Sequence, residues 1–412
     1  MTLKIAVVGS GISGLSSAYL LNGRHDVTLF ESEDRLGGHS NTVNLEVSGR
    51  DIAVDTGFIV LNDRTYPNLL GMFQHLDVAI EPSDMGFAVS IEQGRLEYSG
   101  STKGILAQPS NLLSLRYWAM LKDLVRFFSS ARTLLAQPEE HQPTLGEWLT
   151  TERYSDGFIH DHLLPMGAAI WSCPVGTMTA FPARSFIKFF DNHGLLDFGA
   201  RPIWRTVTGG SQRYVAKLAE ALDGRIRLSS PVVSIQRDAN GVTLATPSGA
   251  PERFDAVILA CHGDQAHAIL SDKTEQEDGI LGSFSYQENE AILHGDAALM
   301  PKRKAVWAAW NYLAEGAQGP DRKVAVSYWM NKLQNLDNAV PLFVSLNPLH
   351  QPREDLVYRR FSYAHPVFDT AAISAQRDLP SIQGRGGVWY CGSYCGWGFH
   401  EDGLRSGIAV AR

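Results

Sequence analysis

Within its first 31 residues the chain passes through an apolar segment, three glycines at fixed spacing, a helix-forming stretch and a second apolar segment that stops on an acid. Lys4 to Val8 has the length and apolar content of a buried parallel strand. Gly9-Ser10-Gly11-Ile12-Ser13-Gly14 follows at once, Leu15 to Leu21 reads as a helix, and Val27-Thr28-Leu29-Phe30 reads as a strand ending in Glu31. Gly9 allows the tight turn, Gly11 lets a pyrophosphate approach the backbone, and Gly14 lets helix and strand pack closely. The first helical turn, which holds Ser13, offers unpaired N–H groups and a partial positive charge to phosphate. Glu31 is placed to accept hydrogen bonds from an adenosine ribose. A plain turn between strand and helix would leave that acid unexplained, so the segment predicts a dinucleotide-binding fold.

The next stretch bears on which dinucleotide. Arg35-Leu36-Gly37-Gly38-His39 places a second glycine pair shortly after the ribose acid, where an extended cofactor again meets the backbone. It resembles the Arg-x-Gly-Gly element of the flavin amine oxidase, protoporphyrinogen oxidase and phytoene desaturase superfamily, which commonly has an arginine where this chain has His39. Asp55-Thr56-Gly57-Phe58-Ile59 matches the superfamily's following strand and turn, whose backbone runs beside the flavin ring. The resemblance implies FAD as cofactor. It also implies that Val233, in the Pro231–Ile235 strand, meets the adenine through its backbone, and that Gly392 and Ser393 meet the ribityl chain.

The C-terminal motif is Gly398-Phe399-His400-Glu401-Asp402-Gly403, followed by Leu404 at the expected start of a helix with Asp402 as its N-cap. In the superfamily this helix end faces the flavin pyrimidine ring, where its dipole favours negative charge. Trp397 or Phe399 falls where amine oxidases place an aromatic beside the ring. The strand that should carry their active-site lysine reads Glu290-Ala291-Ile292-Leu293-His294 and has none. His294, His365 and His400 are candidate acid–base groups, with His400 foremost because its neighbours flank the flavin site.

Longer strings narrow the resemblance, among them Asn192-His193-Gly194-Leu195-Leu196, Leu293-His294-Gly295-Asp296 and Tyr328-Trp329-Met330-Asn331. Together they are similar to bacterial FAD-binding proteins related to the N-terminal flavin-type region of plant cyclopropane fatty-acid synthases. That implies an apolar small-molecule or lipid substrate and a partner methyltransferase of the cyclopropane-synthase type. Trp171, Phe181, Phe186, Phe189 and Phe190 are candidates to line a tunnel or fill a core.

The remaining composition sets limits. A net charge of −8 argues against a nucleic-acid partner, which needs a basic surface. Four cysteines, Cys173, Cys261, Cys391 and Cys395, are too few for a disulfide framework. Cys391, Cys395 and His400 lack zinc-site spacing, so no metal is expected. The apolar run at Ile5 is too short for an export signal, and no run is long enough to span a bilayer. A cytoplasmic protein is expected. A helix over Asn111 to Leu135, capped by Ser110 and carrying Arg116, Lys122, Arg126 and Arg132, reads as a domain helix with a solvated basic face or as one touching anionic lipid peripherally.

These readings predict an α/β fold in which a Rossmann-like FAD-binding domain (1–60, 200–265 and 385–412) receives an inserted α+β substrate domain (61–199 and 266–384). The expected function is FAD-dependent oxidation or desaturation of an apolar, fatty-acyl substrate. Alternatives are double-bond isomerisation, amine oxidation, and a non-catalytic flavoprotein that presents lipid.

Overall fold

The computed structural model describes residues 1–137, 143–171, 174–197, 199, 202–319 and 322–412. Cys173 lies outside these residues.

Five parallel strands make the sheet that organises the molecule: β1 (Lys4–Val8), β2 (Asp26–Phe30), β3 (Ile226–Arg227), β4 (Ala256–Leu259) and β5 (Val388–Tyr390), in the spatial order β3-β2-β1-β4-β5. Alternation along β1 explains why the strand is apolar throughout. Ile5 and Val7 join the core on one face with Leu15 and Ala18, whereas Ala6 and Val8 join the core on the other face with Val257 and Leu259. A strand buried on both faces has no polar side to display. The order reverses at β1, between β2 and β4, and the crevice beyond the strand ends at such a reversal is where α/β sheets bind ligands.

Two helices meet beside that crevice. α1 (Ile12–Asn22) leaves the glycine turn directly, and α2 (His400–Val410) packs along it. Gly403 and Gly407 make the approach close. A Cβ on Gly403 would come within 2.9 Å of Ile12 Cγ2, and one on Gly407 would come within 2.5 Å of the Ser13 carbonyl oxygen. The expected helix start at Leu404 is therefore four residues late. Gly403 lies inside the helix as a packing position, and Phe399 rather than Asp402 is the N-cap residue.

A seven-stranded mixed sheet stands opposite, in the order Val357–Val367, Ser285–His294, Phe343–Leu346, Lys323–Trp329, Trp310–Glu315, Phe87–Ile91, Leu96–Ser99. It shares a large apolar core with the helices between residues 115 and 192. The long helix expected over Asn111 to Leu135 is α-helical only over Leu115–Ser130, with 3-10 turns at Pro109–Leu113 and Ala131–Ala136. Its cap is Ser114, whose hydroxyl accepts from the Tyr117 N–H, and not Ser110. No helix among the described residues is long and apolar enough to cross a membrane.

Candidate active site

A cavity of about 970 Å³ lies between the two sheets and is lined from both. The glycine turn supplies its floor. Gly9 takes φ +101°, and an added Cβ on Gly11 would have no protein atom within 4 Å, so the backbone at Gly11 faces open space. Ser10 to Ser13 follow along the same wall, where the first-turn N–H groups have no intrahelical partner. Gly14 does not line the cavity; a Cβ there would overlap the Gly9 carbonyl oxygen, so this glycine serves helix–turn packing.

Glu31 ends β2 at the cavity edge, with its carboxylate already organised. Oε2 accepts from the Ser10 N–H at 2.8 Å and the Ser10 hydroxyl at 2.5 Å, and Oε1 accepts from the Glu33 N–H at 2.9 Å. Gly37 (φ +105°) and Gly38 (φ +56°) bring the second glycine pair over Gly11, and Arg35 donates to the Gly38 carbonyl at 2.9 Å. A Cβ on Gly57 would overlap the His39 carbonyl oxygen, and the Phe58 N–H donates to that oxygen at 2.7 Å. Phe58 and Ile59 then continue along the cavity wall.

Histidines gather here from segments far apart in sequence. The His39 ring lies 5.3 Å from His365, 6.1 Å from His262 and 5.1 Å from Tyr363, centroid to centroid. Burial is the main force holding His39 well below the ordinary histidine range, with His365, His262, His400 and Arg35 adding to it. Burial likewise lowers His262, and lowers His365 to about 4. His365 Nδ1 is bonded to Asn289 at 2.9 Å, but the buried Nε2 of His39 has no partner. A lining nitrogen left unpaired, beside open space over Gly11 and a helix N-terminus, fits an anionic diphosphate. These residues accommodate a dinucleotide cofactor.

The far side is built by the turn into α2. Trp397, Phe399 and His400 line the cavity, as do Gly392 and Ser393. Phe399 stacks on Phe189 at 5.2 Å, and His400 stacks on Phe58 at 3.8 Å. His400 Nε2 bonds the Tyr214 hydroxyl at 2.7 Å and lies 3.3 Å from Ser40 Oγ; burial holds the ring at about 3, so it is neutral. Asp402 reaches back from the first turn of α2 to accept from the N–H groups of Trp397 (3.0 Å) and Phe399 (3.2 Å). Its burial outweighs those bonds and Arg405, and pushes it up to about 6. Glu401 instead caps the Pro67–His75 helix, accepting from the N–H groups of Asn68 and Leu69 at 3.0 Å.

Three sequence expectations need correction. His294 is fully buried outside the cavity, its Nε2 bonded to Ser345 at 2.8 Å and its Nδ1 accepting from the Asp296 N–H, so it is a structural histidine. Val233 is half exposed and its N–H donates to the Ala245 carbonyl; the adjacent Val232 lines the cavity. In extended chain a one-residue step turns a group to the opposite side. Asp402, Gly403 and Leu404 stand behind the lining and shape it through Phe399 and His400. Sequence reading did not single out His262, Tyr214, Tyr363 or Ser40, which carry no local motif. Cys391 and Cys395 do not assemble with His400: no group of three metal-ligating side chains occurs among the described residues.

The apolar wall is formed by Met166, Ile170, Trp171, Phe189, Trp310 and Phe361. Phe181, Phe186 and Phe190 pack behind it as core. No lysine is among the described residues that line the cavity, and its carboxylates are Glu31, Glu33 and Glu288.

Comparison with known proteins agrees with this geometry. AofH of Mycobacterium tuberculosis, by name a flavin-containing monoamine oxidase, is 26% identical over 269 residues, which cover 62% of this chain and 56% of that protein. This chain thus spans little more than half of such relatives. A putrescine oxidase structure superposes with a TM-score of 0.71 at 16% identity, covering 100% of this chain and 99% of the other. A CLA-producing fatty acid isomerase from P. acnes superposes with a TM-score of 0.69 at 15% identity, covering 100% and 98%. Residues 12–294 match the family described as flavin containing amine oxidoreductase. The chain belongs to that family, and its cofactor is FAD.

Proposed function

We propose that the protein is an FAD-dependent oxidoreductase that oxidises or desaturates an apolar, fatty-acyl substrate. The observation that carries this reading is the cavity wall, which is aromatic and aliphatic and has no lysine among its described residues. The resemblance read from the strings around His193, His294 and Trp329, to the flavin-type region of plant cyclopropane fatty-acid synthases, would imply an acyl substrate and a methyltransferase of that type as partner. Double-bond isomerisation is the second reading, favoured by the shared fold with the fatty acid isomerase.

Bound FAD supplies a two-electron acceptor for hydride removed from carbon. The protein's own residues hold and shield the substrate. Trp171, Phe189, Trp310 and Phe361 surround an alkyl chain and exclude water, each buried methylene contributing about 0.8 kcal/mol. The α2 N-terminus, behind Phe399 and His400, favours negative charge in the cavity. His400, neutral and bonded to Tyr214, is a poor proton acceptor; it positions Phe58 and Tyr214.

The test is anaerobic flavin reduction with two panels, small amines and unsaturated or methyl-branched acyl lipids. Stable bleaching by acyl lipids, steeper with chain length, is the expected result. Acyl double-bond migration without net bleaching would select the isomerase. Rapid bleaching by a small amine and none by any lipid would refute the acyl reading in favour of amine oxidation. Silence in both panels, with lipid still bound, would leave a lipid-presenting flavoprotein.

A further inference from the structure

The Leu115–Ser130 helix buries Tyr117, Met120 and Phe127 against the core. Its opposite stripe, at spacing i, i+3, i+7 and i+10, is Leu115, Trp118, Lys122 and Val125, all exposed. A solvated face would be polar at these positions. The stripe continues from Leu115, 88% exposed, into the turn before the helix, where Leu113 is 90% exposed. Leu106 and Leu112 join it. The Tyr117 hydroxyl donates to the Ile105 carbonyl at 3.0 Å, and the Trp118 indole N–H donates to the Leu112 carbonyl at 2.8 Å, so these segments are held side by side. Of the 12 large apolar side chains exposed among the described residues, half lie within this one stretch. Scattered exposed leucines are ordinary, but a concentrated patch marks a contact surface.

Charge selects the partner. From residue 101 to residue 137 the chain has Lys103, Arg116, Lys122, Arg126 and Arg132 against a single acid, Asp123, in a protein whose net charge is −8. Asp123 is turned inward, accepting from the Ser155 N–H at 2.7 Å and from Arg126 at 3.1 Å. Arg116 and Arg132 pair with Asp161, Asp191 and Asp197. Lys103 and Lys122 are exposed and make no ion pair among the described residues, so the apolar patch is flanked by free positive charge. A second copy of this chain docked face to face would set lysines against lysines.

We infer that this patch docks the protein on an anionic lipid bilayer, with Leu113 and Leu115 entering the acyl boundary and Lys103 and Lys122 meeting the headgroups. The inference rests on the surface alone and is independent of the acyl-substrate reading, because binding is measured without turnover.

The experiment is flotation of the flavin-loaded full chain with vesicles of phosphatidylcholine alone and of phosphatidylcholine with phosphatidylglycerol. The expected result is recovery with the anionic vesicles only, decreasing as salt rises. L113D/L115D should lose at least tenfold in bound fraction at unchanged flavin content and thermal midpoint, since both side chains are exposed. K103E/K122E should lose binding at low salt. No flotation with anionic vesicles at low salt overturns the inference, and so does equal flotation of the variants. A dimer in light scattering that L113D/L115D converts to monomer, with no vesicle binding, would overturn it in favour of a second copy.

Discussion

Gly11 and Gly14 belong to one turn, yet replacing them should fail in opposite ways. Gly11 sits at φ −62°, ψ 177°, which any L-residue adopts, and an added Cβ has no protein atom within 4 Å. Gly11→Ala should therefore fold, with a gain of about 0.4–1 kcal/mol from a less flexible unfolded chain. Its methyl occupies the approach of the pyrophosphate, so flavin should be lost. At Gly14 a helix-interior alanine is intrinsically better than glycine by about 1 kcal/mol. There, however, the Cβ would overlap the Gly9 carbonyl oxygen and come within 3.1 Å of Ala260 Cβ. That carbonyl cannot easily swing, because Gly9 is held at φ +101° with its N–H donating to Phe30 at 2.8 Å. Overpacking against fixed backbone costs about 1–3 kcal/mol or more, which exceeds the propensity gain. The assay is flavin absorbance per chain on purified protein, with denaturant unfolding of the flavin-free forms so that cofactor binding does not contribute. The expected pattern is a stable, colourless Gly11→Ala and a destabilised Gly14→Ala. Full flavin content in Gly11→Ala, or an undiminished midpoint in Gly14→Ala, would refute the separation of roles.

Further outcomes follow from the buried polar groups. Tyr214→Phe removes the 2.7 Å partner of the buried His400 Nε2 and leaves it Ser40 Oγ at 3.3 Å, so it should lower stability by about 0.5–1.5 kcal/mol while flavin is retained, read by thermal denaturation and absorbance. Asp402 has a folded-state pKa of about 6 against an ordinary 3.8, so its contribution to stability is fully present below the unfolded value and lost as pH rises through about 6. Asp402→Asn should thus gain on the parent, by on the order of 2–3 kcal/mol, between about pH 4 and about pH 7; a difference constant with pH would rule this out. FAD binding should weaken as pH rises, because a diphosphate beside His39 favours its protonation, while burial, His365, His262, His400 and Arg35 oppose it and hold the ring of the flavin-free protein well below the ordinary histidine range. Titration of FAD into the flavin-free protein checks this, and His39→Gln should flatten the dependence.

The strand, glycine turn, helix and acid from Lys4 to Glu31 were legible from sequence because each residue's role is set within one supersecondary unit. The same holds for the missing lysine, which is a statement about residue type. Tertiary structure decided what depends on register and approach. His365 reaches the cavity on a strand whose partner places Gln287 opposite it, whereas His294, seven residues further along that partner, is turned into the core. Val232 and Val233 have similar side chains, and only the pairing of Val233 with Ala245 turned Val232 to the cavity. Gly403 reads locally as the residue before a helix that starts at Leu404, but it lies inside α2 as a packing position against α1. Leu113 and Leu115 fit a buried helix face by composition, and the fold left them in the open. Local pattern sets which elements form. Which side chains converge depends on contacts between residues far apart in the chain, where a single-residue shift reverses the side a group faces.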